Sequence, residues 1–146
     1  LPNHDYACGW YFVTICTKDK RYRLGTVVGG DAHIAPHVEL SNIGSVAEMY
    51  LKRIPGIDTY VVIPNNVHFI VSIATEGAPM WASAPTQTLG CMVRSFKTLS
   101  TKAAGQKLWQ RGYYDHIIRC ESDYLRIWQY MEENPVRWTE DEYYFE

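Results

Sequence analysis

Two pairs of residues in this chain have types and spacings suited to chemistry: Asn66 with His68, and Tyr130 with Asn134. If Asn66 and His68 share a β-strand, their side chains project from one face with Cα atoms roughly 7 Å apart. Tyr130 and Asn134, one helical turn apart, are neighbours on a helix surface. If the two pairs face each other, an imidazole, two amide oxygens and a phenol converge. An imidazole with oxygen ligands can hold Mg²⁺ or Mn²⁺, water completing the shell. Such an ion polarises a phosphoryl oxygen during an in-line displacement, and a tyrosine beside it can attack phosphorus. With a free pKa of about 10, that tyrosine needs help to lose its proton. Each residue also has a plain structural alternative. Asn66 and His68 suit a polar hairpin turn and a half-buried strand position; Tyr130 suits a helix border and Asn134 a helix end before Pro135. Residue type leaves both readings open.

The elements that must position these groups are legible. Tyr60-Val61-Val62-Ile63 and Val67-His68-Phe69-Ile70-Val71-Ser72-Ile73 are β-branched and aromatic strands joined by Pro64-Asn65-Asn66, a turn-forming run. Trp10–Thr17 is apolar on both faces and predicts a central strand. Lys18–Arg23 is a charged turn, and Leu24–Val28 with Ala32–Leu40 predicts a small hairpin about Gly29-Gly30-Asp31. Ser41 or Asn42 caps a helix with Ile43, Val46, Ala47, Tyr50, Leu51 and Ile54 on one face, stopped by Pro55-Gly56. Thr75–Pro85 reads as a surface loop, and Thr86 caps a second helix with a stripe of Leu89, Met92, Val93, Phe96 and Leu99. Leu108–Ile118 is a short strand or ordered loop. A third helix from about Ser122 to Asn134 buries Tyr124, Ile127, Trp128 and Met131. Tyr130 and Asn134 lie on the border of that stripe. The order predicts an α+β sandwich, an antiparallel sheet with helices on a face.

The 146 residues suit one domain spanning 1–146, and 47% hydrophobic content is ordinary for a globular chain. No apolar run approaches the roughly 20 residues of a membrane span, and Leu1–Gly30 carries no basic-then-apolar leader. Cys8, Cys16, Cys91 and Cys120 are scattered without a C-x-x-C pair, so they read as reduced thiols, mostly core filler, rather than a zinc site. The net charge of −2 argues against nucleic-acid binding, but its distribution does not. Arg94, Lys97, Lys102, Lys107, Arg111 and Arg119 face only Asp115 across positions 94–119, and an acidic tail follows from Glu132. Such a split either focuses an anionic ligand on one face or is ordinary solvated charge. His4, His33 and His37 lie in the lead-in and peripheral hairpin and are given no chemistry; Asp115 and His116 read as braces of their strand.

Four segments together resemble the single-tyrosine HUH transposases of the REP-associated and insertion-sequence type. They are Tyr11-Phe12-Val13-Thr14; Val62-Ile63-Pro64-Asn65-Asn66-Val67-His68; Trp109-Gln110-Arg111-Gly112-Tyr113-Tyr114-Asp115-His116-Ile117-Ile118-Arg119; and Tyr130-Met131-Glu132-Glu133-Asn134-Pro135. Their order and spacing match over nearly the whole chain. The resemblance implies a ferredoxin-like or RRM-like HUH endonuclease fold and cleavage and rejoining of single-stranded DNA at hairpin-flanked sites through a 5′-phosphotyrosine link. It implies Tyr130 as nucleophile, His68 and Asn134 as ligands of Mg²⁺ or Mn²⁺, a hairpin-DNA partner, a homodimer with a monomer as the alternative, and a cytoplasmic, nucleoid-associated location. Arg94, Lys97, Arg111 and Arg119 are then expected on backbone phosphates. Trp109, Tyr113 and Tyr114 are expected to stack on unpaired bases or, equally, to pack in the core. Asn66 stands where the family has the first histidine of its pair. Either the site works with a weaker ligand set, or the chain binds hairpin DNA without cutting it, or the residue was introduced to stop cleavage. A small α+β interaction protein with no DNA role is the remaining alternative.

Overall fold

Because β1 (Trp10–Cys16) is apolar toward both faces, it can be satisfied only with packed layers above and below it. It runs inside a four-stranded sheet. The computed structural model describes residues 9–29, 35–73 and 89–135. After β1 come β2 (Gly25–Val28), β3 (His37–Leu40), α1 (Asn42–Leu51), β4 (Ile57–Ile63), β5 (Asn66–Ser72), α2 (Leu89–Ala104), β6 (Tyr114–Ile117) and α3 (Glu121–Glu133). The main sheet has the order β4-β5-β1-β6, every neighbour antiparallel, while β2 and β3 form a separate ribbon. This is the α+β architecture expected. The proposed loop at Thr75–Pro85, the Thr86 cap, Ala32–Ile34 of the small hairpin, His4, His33, Cys8 and the tail beyond residue 135 lie outside the described residues.

Strand alternation sorts the side chains into two cores. On one face Val13, Ile15, Val67, Phe69 and Val71 meet Ala47 and Leu51 of α1 and Met92, Val93 and Phe96 of α2. On the other, Trp10 and Ile70, flanked by Phe12 and Val61, meet Ile118 and Ile127 and Met131 of α3. Helices therefore cover both faces. Between β4 and β5 only Pro64 and Asn65 form the turn, because Ile63 pairs with Asn66. Asn66 is thus the first residue of β5, on the face that also carries His68.

Two expected core positions are corrected. Leu99 is 46% exposed and Trp128 41% exposed. Each lies about 80° from the middle of its helix's buried arc at 100° per residue. In α2 the inward place belongs to Ser100, whose hydroxyl accepts the Trp109 indole N–H at 2.9 Å. Of the described cysteines only Cys16 is core; Cys91 and Cys120 are exposed thiols.

The Ser41 hydroxyl caps α1 by accepting the Gly44 N–H at 3.0 Å. Gly44 is needed for a different reason: a Cβ there would sit 1.8 Å from the Leu24 carbonyl oxygen. Backbone meets backbone, so no side chain can swing away. Gly44→Ala is expected to cost about 3 kcal/mol, at the upper end of overpacking penalties, and a denaturant titration showing unchanged stability would refute this contact.

Candidate active site

α3 lays Tyr130 against the middle of the sheet. Its ring lies 5.5 Å from the His68 imidazole and 6.2 Å from Phe12, edge-on to both. Phe12 in turn stacks on His68 at 5.5 Å. Thr14, paired with His68 across β1 and β5, places its hydroxyl 2.7 Å from His68 Nδ1. If Nδ1–H donates to Thr14, Nε2 carries the lone pair a metal would need. These residues, with His116, Arg126 and Ile127, line a cavity of about 410 Å³.

The possible metal donors are unusual. Asn66 and Asn134 are buried. The Asn66 amide nitrogen donates to Asn65 Oδ1 at 2.9 Å, whereas Asn66 Oδ1 and both polar atoms of the Asn134 side chain are buried without a hydrogen-bond partner. Uncompensated buried amides are costly, and an ion or water at either oxygen would relieve that cost, although neither amide is among the residues lining the cavity. The donor chemistry thus fits a hard divalent ion. Among the described residues no three His, Cys, Asp or Glu side chains cluster at a possible metal site, so such a site would be uncharged and weak.

A second polar group borders the cavity. Asp123 on α3 contacts His116 Nε2 through Oδ2 at 2.9 Å and accepts from Arg126 through Oδ1. His116 shares the α3-facing side of β6 with Tyr114, whereas Asp115 points to the other face. His116 does brace strand to helix, as expected, but it also faces the Tyr130 cavity. Burial pushes the Asp123 carboxyl up, yet hydrogen bonds from His116 and Arg126 outweigh it and hold its pKa below the ordinary aspartate value. Asp123 therefore stabilises the fold above the unfolded-state pKa and loses that effect as pH falls through the folded one. The stability gap between the native chain and Asp123→Asn should be constant, at most about 1 kcal/mol, at neutral pH. It should close in acid below the usual aspartate range. Urea titrations across pH check this; a gap that widens in acid would contradict it.

The residues expected on DNA are scattered. Trp109 takes the core alternative: it is buried, packs on Phe96 with ring centroids 5.3 Å apart, and bridges to Thr17. Its indole is committed to Ser100, so it offers no platform for a base. Tyr113 packs partly against the same core, and burial, reinforced by the charge of Asp115, raises its pKa. Tyr114 is 55% exposed and next to Thr14 in the sheet. Arg94 and Lys97 belong to α2, on the face opposite the Tyr130 cavity. Lys97 Nζ donates to the carbonyls of Gln110 and Gly112 at 3.0 and 2.5 Å, and its burial lowers its pKa, so it anchors the loop before β6. Arg111 and Arg119 are exposed on either side of β6. Arg111 joins Lys18, Lys20 and Lys107 around a surface groove of about 500 Å³, which shares no lining residue with the Tyr130 cavity. Lys18 and Lys20 read only as turn residues in the sequence; nothing local signals that they meet Lys107.

The fold that presents this site is shared with a solved REP-associated tyrosine transposase bound to a REP hairpin. The two agree with a TM-score of 0.58 over 94% of this chain and 72% of that one, at 21% identity, a likeness of fold. In sequence the chain is 32% identical to an uncharacterized protein of Haemophilus influenzae, over 99% of this chain and 90% of that protein. It belongs to the same family as that protein. No family model matches the chain.

Proposed function

We propose that this chain is a single-tyrosine HUH transposase that cleaves and rejoins single-stranded DNA at hairpin-flanked sites. The observation that carries the reading is the edge-on approach of the Tyr130 ring to His68 inside one cavity, 5.5 Å between centroids. Tyr130 Oη attacks the phosphorus: the P–Oη bond forms, the P–O3′ bond breaks, and a 5′-phosphotyrosine and a 3′-hydroxyl result. Attack by a 3′-hydroxyl reverses the exchange, so neither ATP nor water is consumed. His68, Asn134 and Asn66 would hold Mg²⁺ or Mn²⁺, which when bound polarises the phosphate. Phe12 and Ile127 wall the cavity with apolar surface, which strengthens every polar interaction inside it. In this reading Tyr114, Arg111 and Arg119 meet more of the strand, and the chain acts in the cytoplasm on nucleoid DNA as a homodimer.

Incubation with a hairpin-bearing single strand and Mn²⁺, followed by a denaturing gel, tests the reading; a protein-linked strand is expected. The buried neutral amide of Asn66 favours one second reading, a hairpin-binding module that no longer cuts. Retention on a native gel without a linked strand would select that module. No retention even at low salt would overturn both.

A further inference from the structure

Arg126 and Tyr130 are four residues apart, so they occupy one side of α3 on successive turns. The Arg126 side chain is 71% exposed, and its contact with Asp123 leaves the other donors of its planar fork available. His116 reaches the same carboxylate from β6, each ligand taking a different oxygen. Asp123 thus contacts side chains from two elements at the wall of the Tyr130 cavity and biases where they point. Prior fixing reduces the ordering cost of binding a ligand. A guanidinium fork matches phosphate oxygens with two parallel donors, and a volume of about 410 Å³ is that of a small-molecule site.

We infer that Arg126 and His116, set by Asp123, form a phosphodiester subsite beside Tyr130 that grips the DNA strand without a metal ion. The inference rests on the proposed DNA reading and adds to it. A chain whose ion site is built from one imidazole and two neutral amides holds its ion weakly. The Arg126 guanidinium, paired on one side with Asp123, offers its remaining donors at the cavity wall whether or not the ion is present.

The test is the affinity of a single-stranded oligonucleotide in EDTA, measured across a salt series. The native chain should bind. Arg126→Gln should weaken binding roughly tenfold or more, as expected for a lost charge-assisted contact. It should also reduce the slope of log K against log salt by about 0.7, the share of one single-strand phosphate. Arg126→Lys, which keeps the charge but loses the fork, should retain the slope and recover part of the affinity. Lys52→Gln, an exposed charge at the end of α1 on the other face of the sheet, should change neither. Circular dichroism verifies folding, and Arg126 is exposed enough to be replaced safely. Equal affinity and slope for Arg126→Gln would overturn the subsite. So would binding by the native chain only when Mn²⁺ is added, while leaving the DNA reading intact. Absence of binding in EDTA and in Mn²⁺ alike would overturn the DNA reading and the subsite together.

Discussion

A Tyr130→Phe protein is expected to fold and bind hairpin DNA as the native chain does while yielding no protein-linked strand. The substitution removes one oxygen and leaves the ring. Its edge contacts with His68 and Phe12 remain. Tyr130 is about two-fifths exposed at the border of the α3 stripe, so stability should change by no more than about 0.5 kcal/mol. Loss of the attacking oxygen, by contrast, is absolute for a covalent mechanism. The measurement is paired: a denaturing gel for the linked strand and a native gel for binding. A linked strand persisting in Tyr130→Phe would mean another nucleophile, and the assignment of α3 would fall.

The second large effect is expected from Asn66→His. Asn66 begins β5 on the face of His68, so an imidazole there would stand beside the first, two residues along the strand. Exchanging a neutral amide oxygen for an imidazole gives a divalent transition ion a donor it prefers. Mn²⁺ affinity should rise about tenfold, or ~1.4 kcal/mol, and strand cleavage should rise with it. The gain should shrink in acid, because a ligating imidazole must be unprotonated. There is an opposing term. Asn66 is fully buried and its amide donates to Asn65, so a larger ring costs packing and one hydrogen bond. Calorimetric titration with Mn²⁺ separates the two, since packing loss lowers thermal stability without lowering affinity for the ion. Unchanged or weaker Mn²⁺ binding in a folded Asn66→His protein would remove Asn66 from the ligand set.

What could be read in advance followed from short-range physics. The double-sided apolar character of Trp10–Cys16 requires an interior strand; Pro64-Asn65 turns the chain; Pro135 follows the end of α3. These constraints act within a few residues. The rest depended on partners remote in sequence. Nothing near Trp109 announces that Ser100, nine residues earlier, presents a hydroxyl at the centre of a helix's buried arc. Lys97 looks like surface charge until the loop carbonyls of Gln110 and Gly112 arrive over it. His116 and Asp123 are seven residues apart on different elements, a spacing with no local meaning. Hydrophobic spacing draws the buried arcs of α2 and α3 too wide for a similar reason: it tells which side is inward, not how far the neighbouring layer extends.

The two faces of the sheet are unequally covered. Among the described residues, one carries a pair of helices over a large core, whereas α3 alone closes the other through a small cluster around Ile127 and Met131, with Tyr124 reaching Asp58 on β4. A phenol mounted on the lighter lid and an imidazole rooted in the heavier body belong to parts of unequal mechanical hold. Were that lid to lift, the Tyr130 phenol, the Arg126 guanidinium and the Asn134 amide would leave as one piece, while the His68 imidazole kept its place on the sheet.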